Sequence, residues 1–272
     1  MSAPEELVIP TRVARFDFDD HLFCGQRAFG ELAGNSSMAG TFLLALTGRR
    51  ASADDCALID DLMACCAMAD PRIWPLKVTR IVGSYGSFQP AMLAGQLSTD
   101  AALAGPSTVG RAIEQLRELV RLSAGQVGDR EAVRRAFEEL RRHTPELGGF
   151  GVPFRERDER VEAFREHVRA RGRDQRTHWM LFETLLGILR AGEKKLELNI
   201  VSAMAAVALD LDLGFEPELG QMFGALLLSP CFYANAREAS IEPAPLLREL
   251  PDACVAYAGR VRRKSPLAER LR

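Results

Sequence analysis

After its first twenty positions the chain repeats apolar residues at the three- and four-residue spacing of helices almost throughout. Val109, Ala112, Ile113, Leu116, Leu119 and Val120 share one side of such a stretch, with Arg111, Glu114, Arg117, Glu118 and Arg121 opposite. That pattern buries one stripe and wets the rest. Similar stripes predict helices over Asp129 to His143 (Val133, Ala136, Phe137, Leu140) and Asp158 to Ala170 (Val161, Phe164, Val168). Ser52, followed by Asp54 and Asp55, reads as the capped start of another helix carrying Leu58, Ile59, Leu62, Met63 and Cys66. The small apolar run Ser37 to Leu46 ends at Gly48, Arg49 and Arg50, a glycine and cations suited to a helix C-terminus. A further small-residue helix is expected from Pro90 to about Leu103.

Two stretches, Thr177 to Leu189 and Ile200 to Leu213, are apolar nearly all round, as in a helix enclosed within a domain or at a dimer contact. Pro71 and Pro75 read as bracketing a loop, Gly83 and Gly86 as a turn, and Gly105-Pro106 as a break. Only Val13 to Phe18 alternates as a strand would, and no partner for it is evident. The expected fold class is all-α. Charge is denser between Val109 and about Leu198 than in the flanks. This suggests a small helical domain, 109–200, inserted into a large one made of 1–108 and 201–272.

The chain has 272 residues, 47% of them hydrophobic, enough for a substantial core. Its 35 Lys and Arg nearly cancel its 37 Asp and Glu, so no overall field recruits nucleic acid or an anionic membrane. A small-molecule ligand is expected instead. The basic end, Arg260 to Arg272, reads as a solvated tail. Six cysteines form no CxxC pair, which argues for buried thiols in a reducing compartment and against zinc or disulfides. No signal-like opening and no membrane-length apolar run is visible, so a cytoplasmic protein is expected. Phosphate-loop, nucleophile-elbow and zinc-protease motifs are missing, and His21, His143, His167 and His178 stand at unrelated spacings. No metal or tightly bound cofactor is suggested.

Four segments cluster glycines, prolines or paired cations: Leu46 to Arg50, Gly105 to Gly110 (GPSTVG), Gly149 to Arg160 (GFGVPFRERDER), and Lys194 to Val201 (KKLELNIV) continued by Ala205 to Gly220. In this order and at these distances they resemble the motif segments of the citrate synthase and citryl-CoA lyase superfamily, over most of the chain. The resemblance implies a citrate synthase-like, all-helical fold and a homodimer built by packing apolar helices of the large domain against their symmetry mates.

In that family a turn histidine bonds the thioester oxygen, an aspartate takes the α-proton of acetyl-CoA, and a second histidine polarises the ketone of oxaloacetate. An enol must form from a weakly acidic carbon and then attack an activated carbonyl, so all three are needed. Carried onto this chain, the turn histidine falls on Thr108, the second histidine on Val152 and the aspartate on Val201. A substrate-binding histidine falls on Pro71, and a late arginine near Leu227.

Valine can neither give nor take a proton, and a threonine hydroxyl does not titrate near neutrality. Arg160 matches a substrate-binding arginine, and Lys194 and Lys195 lie where the family meets the coenzyme's phosphates. Arg160 could instead pair with Glu156 or Glu162, leaving both lysines solvated. Asp158, Glu197, His143 and Asp70 are the candidates for a relocated base. The resemblance therefore implies a cleft repurposed for an acyl-CoA or another acyl or carboxylate molecule, in the acyltransferase or carbon–carbon lyase class. The alternative is an inactive relative serving as a binding or assembly partner.

Overall fold

The computed structural model describes residues 10–67, 70–100, 105–144, 146–152, 156–192, 196–245 and 250–260. The alternating N-terminal stretch finds its partner within ten residues. Strand β1 (Ala14–Asp17) pairs antiparallel with β2 (Asp20–Phe23), which pairs with the two-residue β3 (Gln26–Arg27). Sequence reading missed β2 because its Asp and His break the apolar alternation. Asp20 is nonetheless buried, and its carboxylate accepts the N–H groups of His21, Phe29 and Gly30 and the Arg27 Nε. Those bonds, led by Phe29, hold its pKa down at about 2.

Ten α-helices follow among the described residues: α1 (Met38–Thr47), α2 (Ala53–Cys66), α3 (Trp74–Gly83), α4 (Phe88–Thr99), α5 (Ser107–Leu122), α6 (Arg130–His143), α7 (Glu159–Ala170), α8 (Thr177–Ala191), α9 (Ile200–Asp210) and α10 (Pro217–Ile241). Ser37 and Ser52 cap α1 and α2, the latter through a reciprocal bond with Asp55, and Gly48 closes α1 at φ 69°. Two expectations need correction. Pro75 does not bracket a loop but occupies the first turn of α3, where its missing N–H costs nothing. The 25-residue α10 goes beyond what the sequence pattern predicts, because its buried stripe includes Gly220, Gly224 and Asn235, its outer side exposes Met222, Tyr233 and Ile241, and Pro230 sits in its interior.

Helices α3, α4 and α10 pack on one another, and α10 also lies along α5. Small residues allow the approach. A Cβ added at Gly95 would fall 1.8 Å from the Thr79 hydroxyl and 2.7 Å from the Phe232 ring, and one at Gly110 would fall 2.5 Å from the Pro217 carbonyl. Helix α9 is enclosed by the chain itself, chiefly by α5 and α8. Its residues Ser202 to Ala208 are all buried, so the apolar run from Ile200 needs no symmetry mate to cover it.

On another side α2 meets the end of α7 across an ionic seam, where Arg171 bonds Asp54 and Asp61 and Arg173 bonds Asp54 and Asp55. No helix among the described residues is long and apolar enough to cross a membrane.

Candidate functional site

The glycine-rich segment 148–152 and the segment 196–201 run antiparallel and touch through a bridge between Phe150 and Leu198. The Gly151 N–H donates to the Glu197 carbonyl at 2.8 Å, and the Asn199 N–H donates to the Gly149 carbonyl at 2.9 Å. The Asn199 side-chain amide donates to the Gly151 carbonyl, and the Ser202 hydroxyl to that of Gly149. Gly149 stands at φ +79°, and a Cβ there would lie 2.1 Å from the Ser202 hydroxyl, so only glycine fits. Gly148 backs onto α5, where an added Cβ would fall 2.7 Å from the Thr108 carbonyl. The buried Gln115 ties the same segment to α5, donating to the Glu146 carbonyl and accepting the Gly148 N–H.

Three positions singled out in the sequence are thus carried on one built locus. Thr108 is buried in the first turn of α5 and its hydroxyl donates to the Gly105 carbonyl. Val152 follows Gly151 directly and is half-buried, as is Val201 in the first turn of α9.

Asp158 lies beside them. Wholly buried, it caps α7 by accepting the Arg160 N–H, takes both ends of the Arg160 guanidinium at 2.8 and 2.7 Å, and accepts the Ile200 N–H at 2.8 Å. Burial alone would lower the pKa of Arg160, but the bonds to Asp158 raise it above the ordinary value. Arg160 therefore pairs with neither Glu156 nor Glu162. The nearest carboxylate is two residues back on the capping turn, a spacing that helix periodicity does not suggest. The buried Cys66 thiol at the end of α2 sits in this electrostatic neighbourhood, and desolvation pushes its pKa well up despite Arg160.

Behind the locus runs a ladder of charges. Arg190 bonds both oxygens of Glu197 and one of Glu162, while Arg165 joins Glu162 to Glu183. Burial acts to raise the Glu162 pKa, yet Arg190 and Arg165 together lower it.

Of the remaining candidates among the described residues, only Glu197 belongs to the locus. Pro71 is exposed in the turn before α3, beside the Asp70–Arg72 pair, and Leu227 is fully buried in α10. His143 ends α6 against Glu139, and Glu197 is held by Arg190. Lys194 and Lys195 fall outside the described residues. Sequence reading missed Gln115 and Arg190 as organisers of the locus. The available signal was a polar residue interrupting an apolar stripe in one case, and an arginine ending an otherwise apolar helix in the other.

No family model matches the chain, and no curated protein matches it in sequence. Among solved structures, citryl-CoA lyase from Hydrogenobacter thermophilus superposes with a TM-score of 0.78 over 97% of this chain and 99% of that one, at 22% identity. The chain has the citrate synthase-like fold.

That fold recurs in ATP citrate lyase from Methanosaeta concilii, a variant solved with (3S)-citryl-CoA (TM-score 0.72, 13% identity, 99% of this chain and 44% of that one). It recurs again in citrate synthase from Thermoplasma acidophilum, solved with carboxymethyl coenzyme A and oxaloacetate (TM-score 0.59, 20% identity, 86% of this chain and 60% of that one). The chain thus spans less than half of the ATP citrate lyase but nearly the whole citryl-CoA lyase. Within the citrate synthase-like fold, the locus at Thr108, Val152 and Val201 presents a bonded backbone framework with side chains that do not titrate near neutral pH.

Proposed function

We propose that this locus floors a cleft that binds an acyl-CoA, or another acyl or carboxylate molecule, without the usual citrate chemistry. One observation carries the reading. Thr108, Val152 and Val201 sit on one hydrogen-bonded framework in a chain whose fold neighbours were solved with citryl-CoA or with citrate and coenzyme A. An apolar lining suits an acyl tail, whereas a dicarboxylate requires unpaired cations to offset its desolvation. Arg160, engaged by Asp158, can serve one carboxylate only by sharing that partner.

In this reading Lys194 and Lys195 meet the coenzyme's phosphates, and the cleft lies between the 109–200 part and the rest of the chain. The protein works in the cytoplasm as a homodimer. The exposed apolar side chains Phe88, Leu93, Leu97, Met222 and Tyr233 of α4 and α10 support such pairing.

Thermal melting with coenzyme A, acetyl-CoA and longer acyl-CoAs tests the proposal. A ligand at a hundred times its Kd stabilises by about 2.7 kcal/mol, or a Tm rise of roughly 5–10 °C for a chain of this size. No rise with any thioester, or citryl-CoA cleavage at an ordinary enzymatic rate, defeats it.

A second reading, an inactive binding or assembly partner, draws on one further fact. Asp158 and Glu197, the buried carboxylates at the locus, are both held by arginines, which leaves neither poised as a base. Binding of acyl-CoA with no turnover of any thioester distinguishes it.

A further inference from the structure

The charge ladder ends at the locus in a way that stability alone does not require. Arg190 sits in the last turn of α8. Its Nε reaches one Glu197 oxygen at 2.9 Å, and its Nη2 reaches the other as well as Glu162 at 2.6 Å. A two-pronged guanidinium fixes the orientation of a carboxylate as well as its charge. Glu197 is 6% exposed, and its own carbonyl accepts the Gly151 N–H, while Leu198 bridges Phe150. A shift of Glu197 is therefore handed to Gly151, one residue before Val152. Glu162 is anchored in turn by Arg165, and Arg165 by Glu183. The series Glu183, Arg165, Glu162, Arg190, Glu197 thus runs from α7 and α8 to the Gly151 edge of the locus.

We propose that Arg190 is a positioning residue: by orienting Glu197 it sets the place of the Gly151–Val152 backbone, and with it which acyl group the cleft prefers. The second half of this statement rests on the functional reading above, while the first half does not.

The test uses the full chain carrying Arg190→Met, Arg190→Lys, or Arg190→Met combined with Glu197→Met. Arg80→Met serves as a control that removes a similarly little-exposed arginine paired with Glu238 far from the locus. Leaving Glu197 buried and unpaired threatens folding, and the double variant removes that penalty by replacing the pair with apolar side chains. Amide hydrogen exchange of the segment 146–152 and the Kd for acetyl-CoA and hexanoyl-CoA are measured.

Exchange in that segment is expected to quicken roughly tenfold in the double variant, to fall between the two in Arg190→Lys, and to stay unchanged in Arg80→Met. The ratio of the two Kd values is expected to change by about the same factor. If the double variant is as stable as the parent and its segment exchanges at the parental rate, Arg190 does not position the loop. Failure of the parent to bind either thioester defeats the functional reading and the selectivity claim, and the exchange rates still decide the positioning claim.

Discussion

The locus around Gly149 and the packed trio α3, α4 and α10 are held together by opposite means. In the first, backbone meets backbone through hydrogen bonds relayed by Asn199, Ser202, Gln115 and Asp158. In the second, helices meet through missing side chains, as at Gly95 under Phe232 and Gly83 under Ala239. The hydrogen-bonded framework tolerates changes at positions such as Val152 and Val201, whose side chains make none of its hydrogen bonds. In the proposed reading, this is how Val152 and Val201 occupy positions where citrate chemistry would need a proton donor and acceptor while the surrounding bonds stay in place. A close-packed contact has no such tolerance, because there the side chain is the geometry.

That contrast can be broken most forcefully at Asp158. Asp158→Ala strands the Arg160 guanidinium and the Ile200 N–H and removes the cap of α7, and urea denaturation is expected to show a loss of about 3–5 kcal/mol. Gly95→Val strikes the other region. Its branched side chain has no room beside Thr79 and Phe232, so overpacking should cost roughly 1–3 kcal/mol and lower the Tm.

Val201→Asp should be nearly silent by comparison. A carboxylate in the first turn of α9 gains from the helix dipole what it loses in apolar contact, so a change under about 1 kcal/mol is expected. No citryl-CoA cleavage should appear, since one acid without its two partners rebuilds no enolising site.

The gentlest probe is pH. The folded-state pKa of Glu162 lies below its ordinary value. Its contribution is therefore present above the unfolded pKa and is lost as pH falls through the folded one. Glu162→Gln should flatten the stability profile on the acid side of about pH 4.5, and a profile identical to the parent's would show that the ladder is idle.

Much of this arrangement was legible beforehand, and the reasons are specific. Helices α5, α6 and α7 each bury one stripe, so their apolar residues announce the period. Helix α10 buries a stripe that includes Gly220, Gly224 and Asn235, exposes Met222 and Tyr233 and carries a proline, and α3 has a proline in its first turn, so the periodic signal is weak in both. The hairpin was hidden because its second strand turns a buried aspartate inward. At the locus, glycines marked the segments, since a positive φ at Gly149 and Gly151 leaves few alternatives. The groups that hold those segments act on backbone atoms from elsewhere in the chain. No local pattern records that Gln115 caps Gly148 from 33 residues away.

The seam between α2 and the end of α7 has a consequence of its own. Three aspartates and two arginines meet there, with Arg173 largely shielded and Asp54 half open to water. Salts of the sulfate or phosphate type screen such contacts, the half-open Asp54 more than the shielded Arg173–Asp55 pair, while strengthening the burial of apolar surface. Ionic strength is thus a dial that loosens the grip of the N-terminal helices on the middle of the molecule and leaves its greasy interior intact.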